Sequence, residues 1–137
     1  MRLSLAAIAA FVAASGALLL DTPRRDIELD LGQNNTVTWT PNPSDPDEPA
    51  TFNLYLTNYD GGHDDNGGNV CQFIATVDTA SGRYTILEDS VNAHIPAHPS
   101  YRFRAHRYVA RCEDAPNTPR PNIITQTDTF PVREYRP

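Results

Sequence analysis

The feature that most constrains the fold of this chain is an alternation of apolar and polar residues with a period of two. In the segment TFNLYLT (51–57), Phe52, Leu54 and Leu56 alternate with Asn53, Tyr55 and Thr57. Successive side chains of a β-strand point to opposite faces, so this period predicts half-buried strands. The same pattern occurs in IELDL (27–31), TVTWT (36–40), VCQFIATV (70–77), GRYTIL (82–87), SYRFRAHRYVARC (100–112) and NIITQTDTFPV (122–132). About seven short strands separated by turn residues predict an all-β sandwich.

The two cysteines, Cys71 and Cys112, are expected to form a disulfide. Cys71 shares one face of its predicted strand with Phe73, Ala75 and Val77. The apolar residues of the strand 100–112 change phase halfway along, and a one-residue bulge near 106–107 would restore a continuous inward face. Both cysteines would then point into the sandwich, where a bridge needs a Cα separation below about 7 Å.

The first 20 residues, MRLSLAAIAAFVAASGALLL, contain a single charged side chain, Arg2. A basic start, an apolar run and small residues before a cleavage point are typical of a secretory signal peptide. The small residues SGA (15–17) predict a signal peptide over 1–17 and a single secreted domain over 18–137. Cleavage one or three residues earlier fits the pattern nearly as well. A retained anchor helix is the alternative interpretation, but the apolar run is short for a bilayer span of about 20 residues.

Charge and cysteine content restrict the partners and the compartment. Without Arg2 the chain has 10 arginines and no lysine against 17 acidic residues, a net charge of −7. Nucleic acids and anionic membranes attract clustered positive charge, so neither is expected as a partner. An even number of cysteines fits an oxidising, extracellular environment.

The order of several short motifs resembles that of the fungal yeast cell wall synthesis proteins of the Kre/Knh type, in their N-terminal domain. This domain also forms the head of Ser/Thr-rich glycolipid-anchored surface proteins. The resemblance covers about residues 26–132, which we take as the domain core. The matching segments are GQNNTVTWTP (32–41), TFNLYLTN (51–58), FIATVDTASGRYTI (73–86), SYRFRAHRY (100–108) and DTFPV (128–132).

The resemblance implies an immunoglobulin-like or fibronectin-III-like β-sandwich that is secreted and associated with the fungal wall and with β-1,6-glucan assembly. It implies no catalytic residues. Ile86 and Leu87 stand where the family has a tryptophan beside a proline. The Ser/Thr-rich tail of the family does not follow the domain in this sequence, which weakens the expectation of direct wall anchoring.

Two segments are candidates for modification or metal binding. Asn34 begins the sequon Asn-Asn-Thr, which predicts N-glycosylation at the start of a strand. The segment NYDGGHDDNGGN (58–69) is rich in oxygen ligands, but its acids lack the spacing of an EF-hand and no glutamate follows. Paired glycines and Asp/Asn-Gly steps favour a hairpin-type loop over a calcium site. The four histidines also lack metal-ligand spacing, so we expect neither metal nor cofactor.

Candidates for ligand contact lie on the predicted strands and at the start of the segment 58–69. The arginines at alternate or nearby positions are Arg102, Arg104, Arg107 and Arg111. They could grip acidic glycans, although a solvated outer face paired with neighbouring acids is the more common arrangement. Tyr55 and Tyr59 are expected to point outward and could stack on sugar rings.

We therefore expect a secreted, non-enzymatic module. There is no G-x-S-x-G nucleophile motif, and the cysteines are expected to be bridged. The favoured partner is cell-wall polysaccharide such as β-glucan. The alternative partner is another extracellular protein, with the chain acting as an effector-like module that has no wall attachment.

Overall fold

The computed structural model describes residues 18–21, 27–59, 69–109, 111–112, 114, 117 and 119–137. The strands in these residues are β1 (Leu19–Leu20), β2 (Asn35–Thr40), β3 (Thr51–Thr57), β4 (Cys71–Asp78), β5 (Arg83–Ile86), β6 (His98–His106), β7 (Ile123–Gln126) and β8 (Phe130–Val132). The neighbouring strands are antiparallel in every pair.

The strands form two sheets, which confirms the predicted all-β sandwich. The small sheet has the order β1-β2-β5. The large sheet has the order β4-β3-β6-β7, and β8 pairs with β6. Several predicted strands differ from the structure. Segment 27–31 contributes only a single bridge from Leu29 to Val132, and segment 122–132 divides into β7 and β8.

Apolar side chains from both sheets form one core. Trp39 on β2 packs edge-on against Phe52 on β3, with ring centroids 5.0 Å apart. The indole Nε1 of Trp39 donates a 2.7 Å hydrogen bond to the carbonyl oxygen of Thr79, so its polar atom is satisfied inside the core. Phe103 and Phe130 pack together in the same core, with centroids 5.4 Å apart. The core also extends to Leu18 and Leu20, which are buried.

The chain crosses from the large sheet to the small one at the Ser-Gly turn after β4. A single 3-10 turn, Thr79–Ser81, ends at Gly82, whose φ of 73° lies in the left-handed region. The carbonyl oxygen of Gly82 accepts a hydrogen bond from the backbone N–H of Trp39. A glycine therefore suits the position, because L-residues adopt this conformation at a cost.

A bulge in β4 overturns the predicted face of Cys71. Leu54 of β3 pairs with Ala75, but Tyr55 pairs with Phe73, so Ile74 is an extra residue. One extra residue moves all side chains beyond it to the opposite face. Of the four residues predicted to share the inward face, Cys71 and Phe73 therefore lie opposite the core, whereas Ala75 and Val77 face it.

The predicted continuation of the strand after residue 106 is also wrong. β6 ends at His106, and Tyr108 lies outside any strand. The register does shift between Ala105 and His106, but the extra residue lies on β7: Ala105 pairs with Thr125, and His106 pairs with Ile123. Among the residues that the structure describes, no bulge carries Cys112 to the inward face.

Candidate functional site on the outer face of the large sheet

The large sheet has a second face, turned away from the core, that carries four of the predicted site residues: Tyr55, Cys71, Arg102 and Arg104. Strand pairing places Thr57 opposite Arg102, Tyr55 opposite Arg104, and Asn53 opposite His106. Directly paired residues of antiparallel strands point to the same side. We call this surface the outer face; its members are Asn53, Tyr55, Thr57, Cys71, Phe73, Arg102, Arg104 and His106.

The outer face is buried at its centre, because a segment without strand structure lies over it. This segment, which we call the cover, comprises residues 107–109, 111–112 and 119–122. The disulfide between Cys71 and Cys112 attaches the cover to β4, with the two Cα atoms 6.1 Å apart and a sequence separation of 41. The predicted pairing is confirmed, but the bridge lies on the outer face and not inside the sandwich.

Arg104 connects the sheet to the cover. Its Nη1 donates to the carbonyl oxygen of Cys112 at 2.9 Å, and its Nε donates to Oε1 of Gln126 on β7 at 2.7 Å. The residue is only 5% exposed. The expectation that Arg104 belongs to a solvated stripe is therefore wrong. Its guanidinium group donates to a backbone carbonyl at the half-cystine, and very little of the side chain is exposed to contact a glycan.

Tyr55 packs inside this second cluster, so the prediction that it points into solvent is wrong. Its ring stacks on the imidazole of His106, with centroids 4.3 Å apart and an interplanar angle of 19°. Phe73 contacts the Tyr55 ring edge-on, with ring centroids 5.4 Å apart. Tyr55 is 2% exposed and His106 is fully buried, whereas Phe73 remains 39% exposed.

His106 is a buried titratable group. Burial, and secondly the Arg104 guanidinium, lower the pKa of His106 to about 4; the Arg111 backbone and the Asp114 carboxyl act in the opposite direction. Neither ring nitrogen makes a hydrogen bond of normal geometry within the part of the chain that the structure describes. At neutral pH the ring is uncharged and acts mainly through packing.

The other predicted contact residues have separate environments. Arg102 is half-buried beside Thr57, and Arg111 is exposed in the cover. Arg107 is half-buried and donates from Nη1 to the carbonyl oxygen of Asp47 at 3.2 Å. Tyr59 is half-buried. The structure therefore does not bring the four arginines and two tyrosines together as one binding surface.

Two buried asparagines were missed by sequence reasoning. Asn122 fixes the cover, because its Oδ1 accepts from the N–H of Tyr108 at 2.8 Å and its Nδ2 donates to the carbonyl oxygen of Arg111 at 2.9 Å. Asn53 donates from Nδ2 to the carbonyl oxygen of Arg107 at 3.1 Å. The alternating pattern of β3 assigned Asn53 to solvent, and nothing in the sequence distinguishes Asn122 from a loop residue.

Asn34 has a geometry that suits glycosylation. The residue is exposed, and its Oδ1 accepts a 2.7 Å hydrogen bond from the backbone N–H of Glu88. This bond ties the start of β2 to the segment after β5. A glycan is attached to Nδ2, so modification would leave the Oδ1 contact in place. N-glycosylation of Asn34 stays a prediction.

The acidic loop proposed as a calcium or hairpin segment lies mostly outside the described residues, which omit 60–68. At its edges, Asn58 Oδ1 accepts from the N–H of Val70 at 2.6 Å, and Thr57 Oγ1 donates to the carbonyl oxygen of Val70 at 2.6 Å. Within the described ranges, no three His, Cys, Asp or Glu side chains converge as metal ligands. The described residues also include no helix long and apolar enough to span a bilayer.

Two packed antiparallel sheets with a tryptophan in the shared core define a small β-sandwich of the immunoglobulin-like class. A family model described as the Kre9/KNH-like N-terminal Ig-like domain matches residues 22–132, and the chain belongs to this family. The family is linked to β-1,6-glucan synthesis in the yeast cell wall. Comparisons with curated proteins and with solved structures found no match.

Proposed function

We propose that this protein is a secreted, non-enzymatic module of the fungal cell wall that contacts wall polysaccharide. The observation that carries the proposal is the family match over residues 22–132, together with the link of that family to β-1,6-glucan synthesis. The N-terminal sequence supports secretion, and the acidic composition favours a neutral partner over a polyanionic one.

The contact surface of this proposal lies around the disulfide, not on the sealed centre of the outer face. Phe73 is two residues from one half-cystine and 39% exposed; Tyr108 is four residues from the other and 40% exposed. Exposed aromatic rings offer a rigid, partly apolar surface at a low cost in side-chain entropy. Arg111 is exposed in the same cover and adds hydrogen-bond donors.

Binding to insoluble polysaccharide tests the proposal. The secreted protein is incubated with β-1,6-glucan, β-1,3-glucan, chitin and isolated wall, and the bound fraction is measured. We expect retention on at least one glucan, with a severalfold loss for the variant F73A/Y108A. Leu87→Ala is the matched control, because Leu87 is 60% exposed but follows β5 of the small sheet. No retention on any of the four materials would contradict glycan binding.

Cell fractionation separates the proposal from its alternative. A wall module fractionates with the wall, and glucan-digesting enzymes release it. A secreted protein-binding module without wall attachment accumulates in the culture fluid. The acidic surface charge also suits a protein partner, which makes this the second candidate.

A further inference from the structure

A cleft of about 140 Å³ lies between Leu18 and the loop that joins β2 to β3. Its apolar lining includes Leu18, Ile123 and Ile124. Its charged lining consists of Asp45, Glu48 and Arg107. Two carboxylates and one guanidinium leave an excess of one negative charge among the described residues that line the cleft.

Within the described residues, the charged groups of the cleft have only part of their hydrogen-bonding capacity satisfied. Arg107 donates from Nη1 to a backbone carbonyl, and its buried Nε has no hydrogen-bond partner among the described atoms. Glu48 accepts from the N–H of Asn42 at 2.7 Å through Oε1. Asp45 accepts from the N–H of Asp47 at 2.9 Å through Oδ1. Each carboxylate retains capacity for a further donor, since an ionised carboxylate offers about four lone-pair sites.

The segment that begins at Leu18 is part of the folded domain. Leu18 is 1% exposed, and β1 directly after it pairs with Thr40 and Trp39 of β2. The N–H of Asp21 donates to the carbonyl oxygen of Thr38 at 2.9 Å. Removal of Leu18 would therefore expose apolar surface that the fold buries. A processing site compatible with this structure lies before Leu18.

We propose that hydrolysis of the Ala17–Leu18 peptide bond places the new α-ammonium group of Leu18 in this cleft, paired with Asp45 and Glu48. A secretory peptidase uses water to break the C–N bond. The carboxylate stays on Ala17, and the amine of Leu18 takes up a proton. With this ammonium group, two positive charges in the cleft balance the two negative charges of Asp45 and Glu48. This proposal rests on the secretion that is part of the proposed function.

The pairing gives the free amino group a measurable effect on folding. An α-ammonium has a pKa near 8 in an unfolded chain, and neighbouring carboxylates favour its charged form. The stabilisation is therefore fully present below that pKa and is lost as the pH rises through the higher value of the folded state. Arg107, the remaining charged group of the cleft, and the burial of Leu18 oppose this effect in part.

Acetylation of the amino group tests the pairing independently of secretion. A chain starting at Leu18 is released from a cleavable fusion and compared, by chemical denaturation near neutral pH, with its Nα-acetylated form. We expect acetylation to raise the unfolding equilibrium constant about fivefold. In the variant D45N/E48Q, acetylation should change it little. The amide oxygens of that variant still accept the backbone N–H bonds, so the loop keeps its local structure.

Asp128→Asn is the matched control, because Asp128 is exposed and does not line the cleft; it should leave the acetylation effect unchanged. An equal effect of acetylation in the wild-type chain and in D45N/E48Q would overturn the pairing.

Intact mass of the protein secreted by a fungal host tests the processing site. Leu18 as first residue supports the proposal, and any other first residue overturns it. Absence of the protein from wall and medium would contradict the proposed secretion, whereas the acetylation comparison would still decide the pairing.

Discussion

Substitution of His106 by phenylalanine should remove much of the acid sensitivity of this fold. The imidazole is fully buried and stacks on Tyr55, so a phenyl ring of similar shape can occupy the same position. Because neither imidazole nitrogen makes a hydrogen bond of normal geometry among the described residues, the substitution removes only the contact with the Arg111 backbone. At neutral pH we therefore expect His106→Phe to be nearly neutral or slightly stabilising.

The size of the pH effect follows from the difference between the folded and unfolded pKa values. Burial lowers the pKa of His106 from 6.5 to about 4. Between these values the unfolded chain binds a proton that the folded protein excludes, so stability falls as the pH falls. The contribution of the neutral ring is complete above the unfolded pKa and is lost progressively down to the folded one. A shift of this size corresponds to about 3 kcal/mol between pH 7 and pH 4.

Urea denaturation at several pH values between about 7 and 4 measures this effect. Carboxylates also titrate in this range, so the informative quantity is the difference between wild type and His106→Phe at each pH. We expect that difference to grow by about 3 kcal/mol in favour of the variant as the pH falls. The control His94→Gln replaces an exposed histidine whose Nε2 lies 3.4 Å from Glu134, and it should leave most of the acid sensitivity in place. Parallel stability curves for wild type and His106→Phe would refute the reasoning.

Three further substitutions test the contacts that hold the sandwich and its cover. Replacing Cys71 and Cys112 by serine opens a 41-residue loop and should lower the free energy of unfolding by about 4 kcal/mol; an unchanged denaturation midpoint would contradict this. Arg104→Met leaves the carbonyl of Cys112 without its donor, and we expect a loss of about 2–3 kcal/mol in the same assay, against a smaller loss for Arg104→Lys. Trp39→Phe removes the indole donor to Thr79 and should lower the thermal midpoint through a loss of about 1–2 kcal/mol; a midpoint equal to wild type would show that the bond is unimportant.

The strands that sequence predicted best are those with one covered face. On β2 the buried Val37 and Trp39 alternate with more exposed neighbours, as the pattern requires. β3 was placed correctly along the chain, but its outward residues are buried as well. A period of two identifies the two faces of a strand; it does not reveal whether another segment covers the polar one. Whether the polar face is buried depends on the cover, and the sequence pattern predicted the first part of the cover as a continuation of the strand.

The disulfide shows the same limit. Two cysteines and the N-terminal pattern were sufficient to predict the pair, because only one pairing is available within the chain. The face on which they meet depended on one extra residue, Ile74, in β4. A bulge of this kind is set by pairing with β3 and leaves little trace in local sequence. The environments of Tyr55 and Arg104 follow from the same tertiary arrangement.

The central position of β3 in the large sheet affects how the chain is synthesised. One of its two neighbours, β4, is the next strand in sequence, but the other, β6, comes much later. Asn53 and the His106 carbonyl that it contacts are 53 residues apart in sequence. At a synthesis rate of about 5–20 residues per second, several seconds pass between the appearance of the two strands. During that interval β3 lacks one neighbour, and Cys71 lacks the thiol with which it pairs. The native disulfide can therefore form only after the second half of the chain has been synthesised.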